Sequence, residues 1–143
     1  MLDVHSAGAQ VDQLFSFLLK QGNTDYMGER VSQLEHSLQA AQLAIDAQKG
    51  EETILAALLH DVGRFIPAAK DAETLIAPNG QIVGKAAHET MGEEFLRGMG
   101  FSEKICALVG AHVQAKRYLT AVDTAYYDSL SSLSKHSLAL QVR

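Results

Sequence analysis

Apolar residues recur three and four positions apart along most of the chain, the spacing of a helix that buries one face. Val11, Leu14, Phe15, Leu18 and Leu19 trace a first helix ending near Gly22. Leu34, Leu38, Ala41 and Ile45 trace a second, closed by Lys49-Gly50, because glycine tolerates the left-handed backbone that stops a helix. Glu51 and Glu52 open a third, where the positive end of the helix dipole favours carboxylates. Its stripe is Ile54, Leu55, Leu58, Leu59 and Val62, and it carries His60 and Asp61 before stopping around Gly63. The pattern breaks over 66–86, where Pro67, Pro78 and Asn79-Gly80 are turn signals and a short turn is expected at 71–76. A fourth helix is expected from about Ala86 to Met99, closed by Gly98 and Gly100. Ser102, whose hydroxyl can accept from a free backbone N–H, caps a fifth over 103–117. Short helices near 123–129 and 132–141 complete the series. β-branched runs are scarce, and no repeat, low-complexity segment or linker divides the chain. The pattern therefore predicts one all-α domain over 1–143.

Composition sharpens this at a few points. The 143 residues suffice for a core, and 47% hydrophobic with 20% charged residues is the profile of a soluble globular protein. A net charge of −5 argues against a broad nucleic-acid or membrane-binding face, while leaving room for a local basic pocket that holds an anion. The single cysteine, Cys106, excludes an intrachain disulfide and a thiolate metal cluster. The opening MLDVHSAGAQ has neither the basic start nor the apolar stretch of a leader, and no apolar run approaches the ~18 residues of a membrane span. A cytoplasmic location is the expectation.

The histidines change the picture most. His36, His60, His88 and His112 each sit in a different helical pattern beside apolar neighbours. His36 lies among Leu34, Leu38 and Leu43. His60 follows Leu58-Leu59. His88 shares a face with Met91, Gly92 and Phe95, and His112 with Ile105, Leu108 and Val109. One inward histidine is usually a satisfied core residue. Four of them plus Asp61 converge only if packed helices aim them at a common interior, where bundles build metal sites. A buried carboxylate beside an imidazole is costly unless something pairs with both, and a metal ion does so. Imidazole and carboxylate donors suit iron, manganese, zinc and similar ions. Four histidines and a carboxylate able to bridge exceed the needs of one open metal and suit two. His5 and His136 have no such support and read as surface residues.

His36 followed by His60-Asp61 resembles the signature of the HD-domain superfamily, a helical metal-dependent group. More specifically, YMGERVSQLEHSLQAAQLA (26–44), AALLHDVGRF (56–65), HETMGEEFL (88–96) and HVQAKRYL (112–119) resemble the PhnZ-like oxygenases of phosphonate degradation, which are related to myo-inositol oxygenase. The resemblance runs from about residue 10 to 141. It implies an HD-domain helical bundle with a buried dinuclear site holding two iron ions, Fe(II) and Fe(III). It implies O2-dependent cleavage of the carbon–phosphorus bond of a small 1-hydroxyphosphonate, such as 2-amino-1-hydroxyethylphosphonate, releasing phosphate and a carboxylate. His36, His60, Asp61, His88 and His112 would hold the irons, with Asp61 bridging. Manganese or another divalent metal is compatible with the same donors. By the same resemblance, Tyr26 would cap a metal as part of a lid, Glu29 would meet a substrate amine, and Lys116, Arg64, Ser134 and Ser137 would hold the phosphonate. The implied partners are an organophosphonate and O2, with no nucleic acid and no membrane; oligomeric state is not specified.

The residues alone support less. Tyr26 and Glu29 otherwise read as an ordinary surface loop. Lys116, one turn after His112 on the same face, otherwise reads as a solvated lysine near a helix end. Arg117 is expected to point outward. Two departures from the family stand out. Arg64 replaces a second histidine, and a guanidinium can take over oxyanion binding through its planar fork. The family's last metal ligand is an Asp on a further helix, and this sequence ends at LALQVR before such a helix, so either the protein continues beyond it or the ligand is lost; Asp123 and Asp128 come too early to substitute. Two other functions therefore stay open. One is a metal-dependent HD phosphohydrolase, in which a metal-bound hydroxide attacks a phosphate ester without O2. The other is a degenerate, non-catalytic HD module.

Overall fold

The apolar stripes become seven helices among the described residues, which are 4–22 and 31–141 of this computed structural model. They are α1 (Val4–Gly22), α2 (Gln33–Asp46), α3 (Glu51–Leu59), α4 (His88–Gly98), α5 (Glu103–Val122), α6 (Thr124–Ser129) and α7 (Ser132–Leu140). Turns of 3-10 helix at Val62–Arg64 and Pro67–Lys70, and two strands, β1 (Thr74–Ile76) and β2 (Ile82–Lys85), lie between α3 and α4. Tyr26 and Glu29 fall outside the described residues, as does the side chain of His5.

Local chemistry sets most of the boundaries. α2 starts at a reciprocal cap: Ser32 Oγ accepts from the Glu35 N–H at 3.1 Å, and the Glu35 carboxylate accepts from the Ser32 N–H at 2.8 Å. It ends at Asp46 because Gln48 takes the left-handed backbone (φ 54°); Gly50, expected to stop this helix, instead precedes α3. α5 starts where Ser102 predicts, its hydroxyl accepting from the Ile105 N–H at 3.4 Å and donating to Glu52 of α3 at 2.6 Å. It runs past the expected 117 to Val122, since no breaker intervenes until Asp123 caps α6 through the Tyr126 N–H at 3.0 Å. α4 begins at His88 rather than Ala86, because Ala87 adopts φ 56° and ψ 26°.

The all-α expectation holds, and one short hairpin is added to it. Where a turn was expected at 71–76, β1 and β2 pair antiparallel, with Thr74 opposite Lys85 and Leu75 opposite Gly84. Gly80 at φ 84° and Asn79 Oδ1, which accepts from the Gln81 N–H at 3.1 Å, make the connecting turn.

α4 packs along α5, α2 along α3, and α3 against α5, while the Val62–Arg64 turn sits on α4. Leu14 and Leu18 of α1 close over Leu59, Val62, Leu96 and Val109 in the main core. Val83 of β2 packs with Ala77 and Leu133 of α7 in a smaller one. Part of each stripe stays outside. Val11, Phe15, Leu19, Leu38, Ile45, Leu55 and Leu108 are exposed, because each helix is covered over a narrower face than its apolar arc. No helix among the described residues is long and apolar enough to cross a membrane.

Candidate metal centre

α2, α3, α4 and α5 each contribute one imidazole around Asp61. His36 lies in the first turn of α2, His60 closes α3, His88 opens α4, and His112 lies midway along α5. His36 and His60 are 24 residues apart, and so are His88 and His112. Each pair bridges two packed helices, α2 with α3 and α4 with α5. The third helix stops at Leu59, short of the expected Gly63, so Asp61 leaves the helix at φ −99° and ψ 10° and turns its carboxylate between the pairs.

Backbone carbonyls orient the rings. His60 Nδ1 lies 2.6 Å from Ala57 O, His112 Nδ1 2.7 Å from Val109 O, and His88 Nδ1 3.3 Å from Lys85 O. A carbonyl only accepts, so each Nδ1 carries the proton and, in the neutral ring, Nε2 offers its lone pair inward. The Nε2 atoms of His88 and His112 then face each other at 3.1 Å, and those of His36 and His60 stand 3.0 Å apart.

Asp61 is 2% exposed. Its two oxygens divide the histidines. Oδ2 lies 3.4 Å from His36 Nε2 and 3.3 Å from His60 Nε2; Oδ1 lies 3.1 Å from His88 Nε2 and 3.5 Å from His112 Nε2. Arg64 Nε donates to Oδ1 at 3.1 Å. Burial opposes the charge of Asp61, yet the Arg64 guanidinium and His60 outweigh it and hold the carboxyl well below its usual range. Burial also lowers His60, but the adjacent Asp61 charge wins and raises it; burial keeps the His88 imidazole below its ordinary value.

This arrangement fits metal ions. Oδ2 is buried with no hydrogen bond of acceptable geometry among the described residues, and facing lone pairs repel unless a cation lies between them. Around a first-row ion with donors about 2.1 Å away, neighbouring donors stand about 3.0 Å apart in an octahedron and about 3.4 Å in a tetrahedron. The separations here, 3.0 to 3.5 Å, lie in that range. His36, His60 and Asp61 form one possible donor set, and Asp61, His88 and His112 a second, with the carboxylate common to both.

Two glycines permit the close approach. A Cβ on Gly63 would run into the His88 carbonyl oxygen, and one on Gly92 would stand 3.2 Å from Gly63 N. The turn after Asp61 can therefore press directly onto the first turn of α4.

A cavity of about 310 Å³ opens over the donors, and Arg64, Lys116, Ser134 and Ser137 all line it. Lys116 Nζ donates to Ser134 Oγ at 2.8 Å, joining α5 to α7. Ser137 is fully buried there. Tyr126 and Gln141, not singled out from the sequence, also line the cavity, and Gln141 Oε1 is buried without a hydrogen bond among the described residues. Asp123 foretells the turn that carries Tyr126, but that this ring lines the cavity shows only in the fold. Asp123, Asp128 and Arg117 are exposed. His136, expected at the surface, is half-buried with its Nδ1 shielded from solvent. A larger cavity, about 470 Å³, lies along the hairpin and the end of α7, but none of the five donors borders it.

The HD domain family matches residues 34–135, a span that contains all five donors. Hydroxymethylphosphonate dioxygenase of Gimesia maris is 38% identical over 135 residues, covering 94% of this chain and 63% of that protein. A [1-hydroxy-2-(trimethylamino)ethyl]phosphonate dioxygenase (glycine-betaine-forming) of Leisingera caerulea is 38% identical over 127 residues, covering 85% of this chain and 59% of that protein. The chain thus spans about 60% of the length of these relatives. Helices that bring His36, His60-Asp61, His88 and His112 together, with a match over most of the sequence, establish that the chain belongs to the HD-domain family.

Proposed function

We propose that this chain acts as an HD-domain oxygenase that uses O2 to cleave the carbon–phosphorus bond of a small 1-hydroxyphosphonate, such as hydroxymethylphosphonate or 2-amino-1-hydroxyethylphosphonate. The observation that carries the reading is one buried carboxylate shared by two imidazole pairs on the floor of a cavity walled by Lys116 and Arg64. The relatives named as phosphonate dioxygenases support it. In this reading His36, His60 and Asp61 would hold one iron, and Asp61, His88 and His112 would hold the other. Bound iron would supply the O2 activation and electron transfer that the reaction requires. One O2 is consumed per substrate: the C1–H and C–P bonds break, C1 becomes the carboxylate carbon, and phosphorus leaves as phosphate.

The chain's own groups bind and orient the substrate. Lys116 and Arg64 bring two positive charges to a phosphonate dianion. An ammonium has three donors, so Lys116 can hold Ser134 and a phosphonate oxygen together. Arg64 offers a planar fork from a position fixed by Asp61. Ser134 and Ser137 add hydroxyls to the same wall; by family resemblance, Glu29 would pair with a substrate amine and Tyr26 would cap a metal. Asp61 stays ionised and keeps the imidazoles turned toward the centre.

The deciding experiment measures metal content and O2 uptake on chain purified with iron available, with both phosphonates as substrates. Close to two irons per chain and phosphate release matched to O2 uptake are expected. Release of phosphate from phosphate esters without O2 would replace this reading with a metal-dependent phosphohydrolase.

A further inference from the structure

Arg64 borders a second cavity, about 330 Å³, that none of the five metal donors lines. It lies between α1, the two 3-10 turns and β2. Lys20, Lys70 and Lys85 join Arg64 around it, and Phe17 and Phe65 provide an apolar bed. Among the described residues, no Asp or Glu lines it. Four of the chain's 12 Lys and Arg residues thus meet at one hollow of a molecule whose net charge is −5.

The described residues do not supply a counter-charge to the lysines. Lys20, Lys70 and Lys85 make no ion pair among them. Lys85 Nζ donates to neutral acceptors, Thr74 Oγ1 at 2.8 Å and Ala72 O at 3.3 Å, so it is held in place without an ion pair among the described residues. Like charges gathered without a counter-ion raise the free energy of the fold, and a bound anion relieves them. Arg64 is fixed more firmly. Asp61 takes its Nε, and the guanidinium lies against Gly84, where a Cβ would stand 3.0 Å from Nη1. Gly84 has φ 146°, so this approach uses both the conformational freedom of glycine and its missing side chain. The volume is in the range of small-molecule sites, about 300–1,000 Å³.

We propose that this cavity is a second anion site, taking a small organic phosphate or phosphonate whose oxyanion meets the lysines and Arg64 and whose apolar part lies on Phe17 and Phe65. The site requires no metal and does not depend on the reaction proposed above. Because Arg64 borders both cavities, an occupant here also touches the residue that holds Asp61.

The test is calorimetric titration of phenylphosphonate into the full chain, compared with inorganic phosphate. Phenylphosphonate should bind saturably in the Lys116→Ala variant, which weakens the metal-side cavity. It should bind several-fold more tightly than inorganic phosphate. The double change Lys20→Ala, Lys70→Ala, at two exposed lysines, should weaken it at least tenfold while the circular dichroism spectrum is unchanged. Binding that survives the double change, or that disappears with Lys116→Ala alone, overturns the proposal. So does inorganic phosphate binding as tightly as phenylphosphonate, or no binding at all.

Discussion

Replacing Asp61 with Asn keeps the shape of the side chain and removes the charge that two donor sets share. Metal affinity should fall by at least about tenfold at both positions together, because neutral amide oxygens are poor ligands for these ions. Elemental analysis of Asp61→Asn after dialysis checks this; retention of one ion at full occupancy would show that the sets are independent. Gly63→Ala acts through shape alone. Its new Cβ would meet the His88 carbonyl, backbone that cannot swing away, so a loss of about 1–3 kcal/mol is expected in urea denaturation. The convergence of His36, His60, Asp61, His88 and His112 was legible because imidazoles and a carboxylate inside apolar runs stand out. Their division between the two oxygens was not, because it follows from Asp61 leaving the helix, which periodicity does not show. The cavity lined by Lys20, Arg64, Lys70 and Lys85 was not foreseen: net charge left room for a basic pocket without placing one, and no local motif connects those positions.

Elements were readable where a side chain punctuates them. Ser102 marked the start of α5, and the glutamates marked the start of α3. The hairpin was missed because strands of three and four residues are too short to display an alternation. The third helix was read too long because its apolar stripe continues through Val62, which is buried from a 3-10 turn instead. The cap at Ser32 also gives a prediction for one element. Ser32→Ala removes the acceptor for the Glu35 N–H at the start of the helix that carries His36, and should cost about 1 kcal/mol. The urea midpoint should drop with no change in slope, since the surface exposed on unfolding is the same.

For the whole molecule, helix number and order were legible, but the side each stripe would turn inward was not. Phe15 and Leu18 are equally apolar, yet only Leu18 is covered, a choice made by the neighbouring helices. Metal binding should feed directly into stability, because the donors come together only when the chain is folded. At free metal a hundred times its dissociation constant, one site adds about 2.7 kcal/mol. A thermal scan should therefore show a rise in Tm with iron or manganese that a chelator reverses. The equal spacing within the two histidine pairs has a consequence for how the protein opens. Each pair closes one helical hairpin, and Asp61 belongs to both donor sets. With metal present, the shared Asp61 carboxylate would link the ion held by one hairpin to the ion held by the other, so opening either would disturb both. Amide hydrogen exchange in α2 and α3 should then slow together with that in α4 and α5, at one common rate. With metal removed, the hairpins should regain separate opening rates, so bound ions would set the size of the cooperative unit.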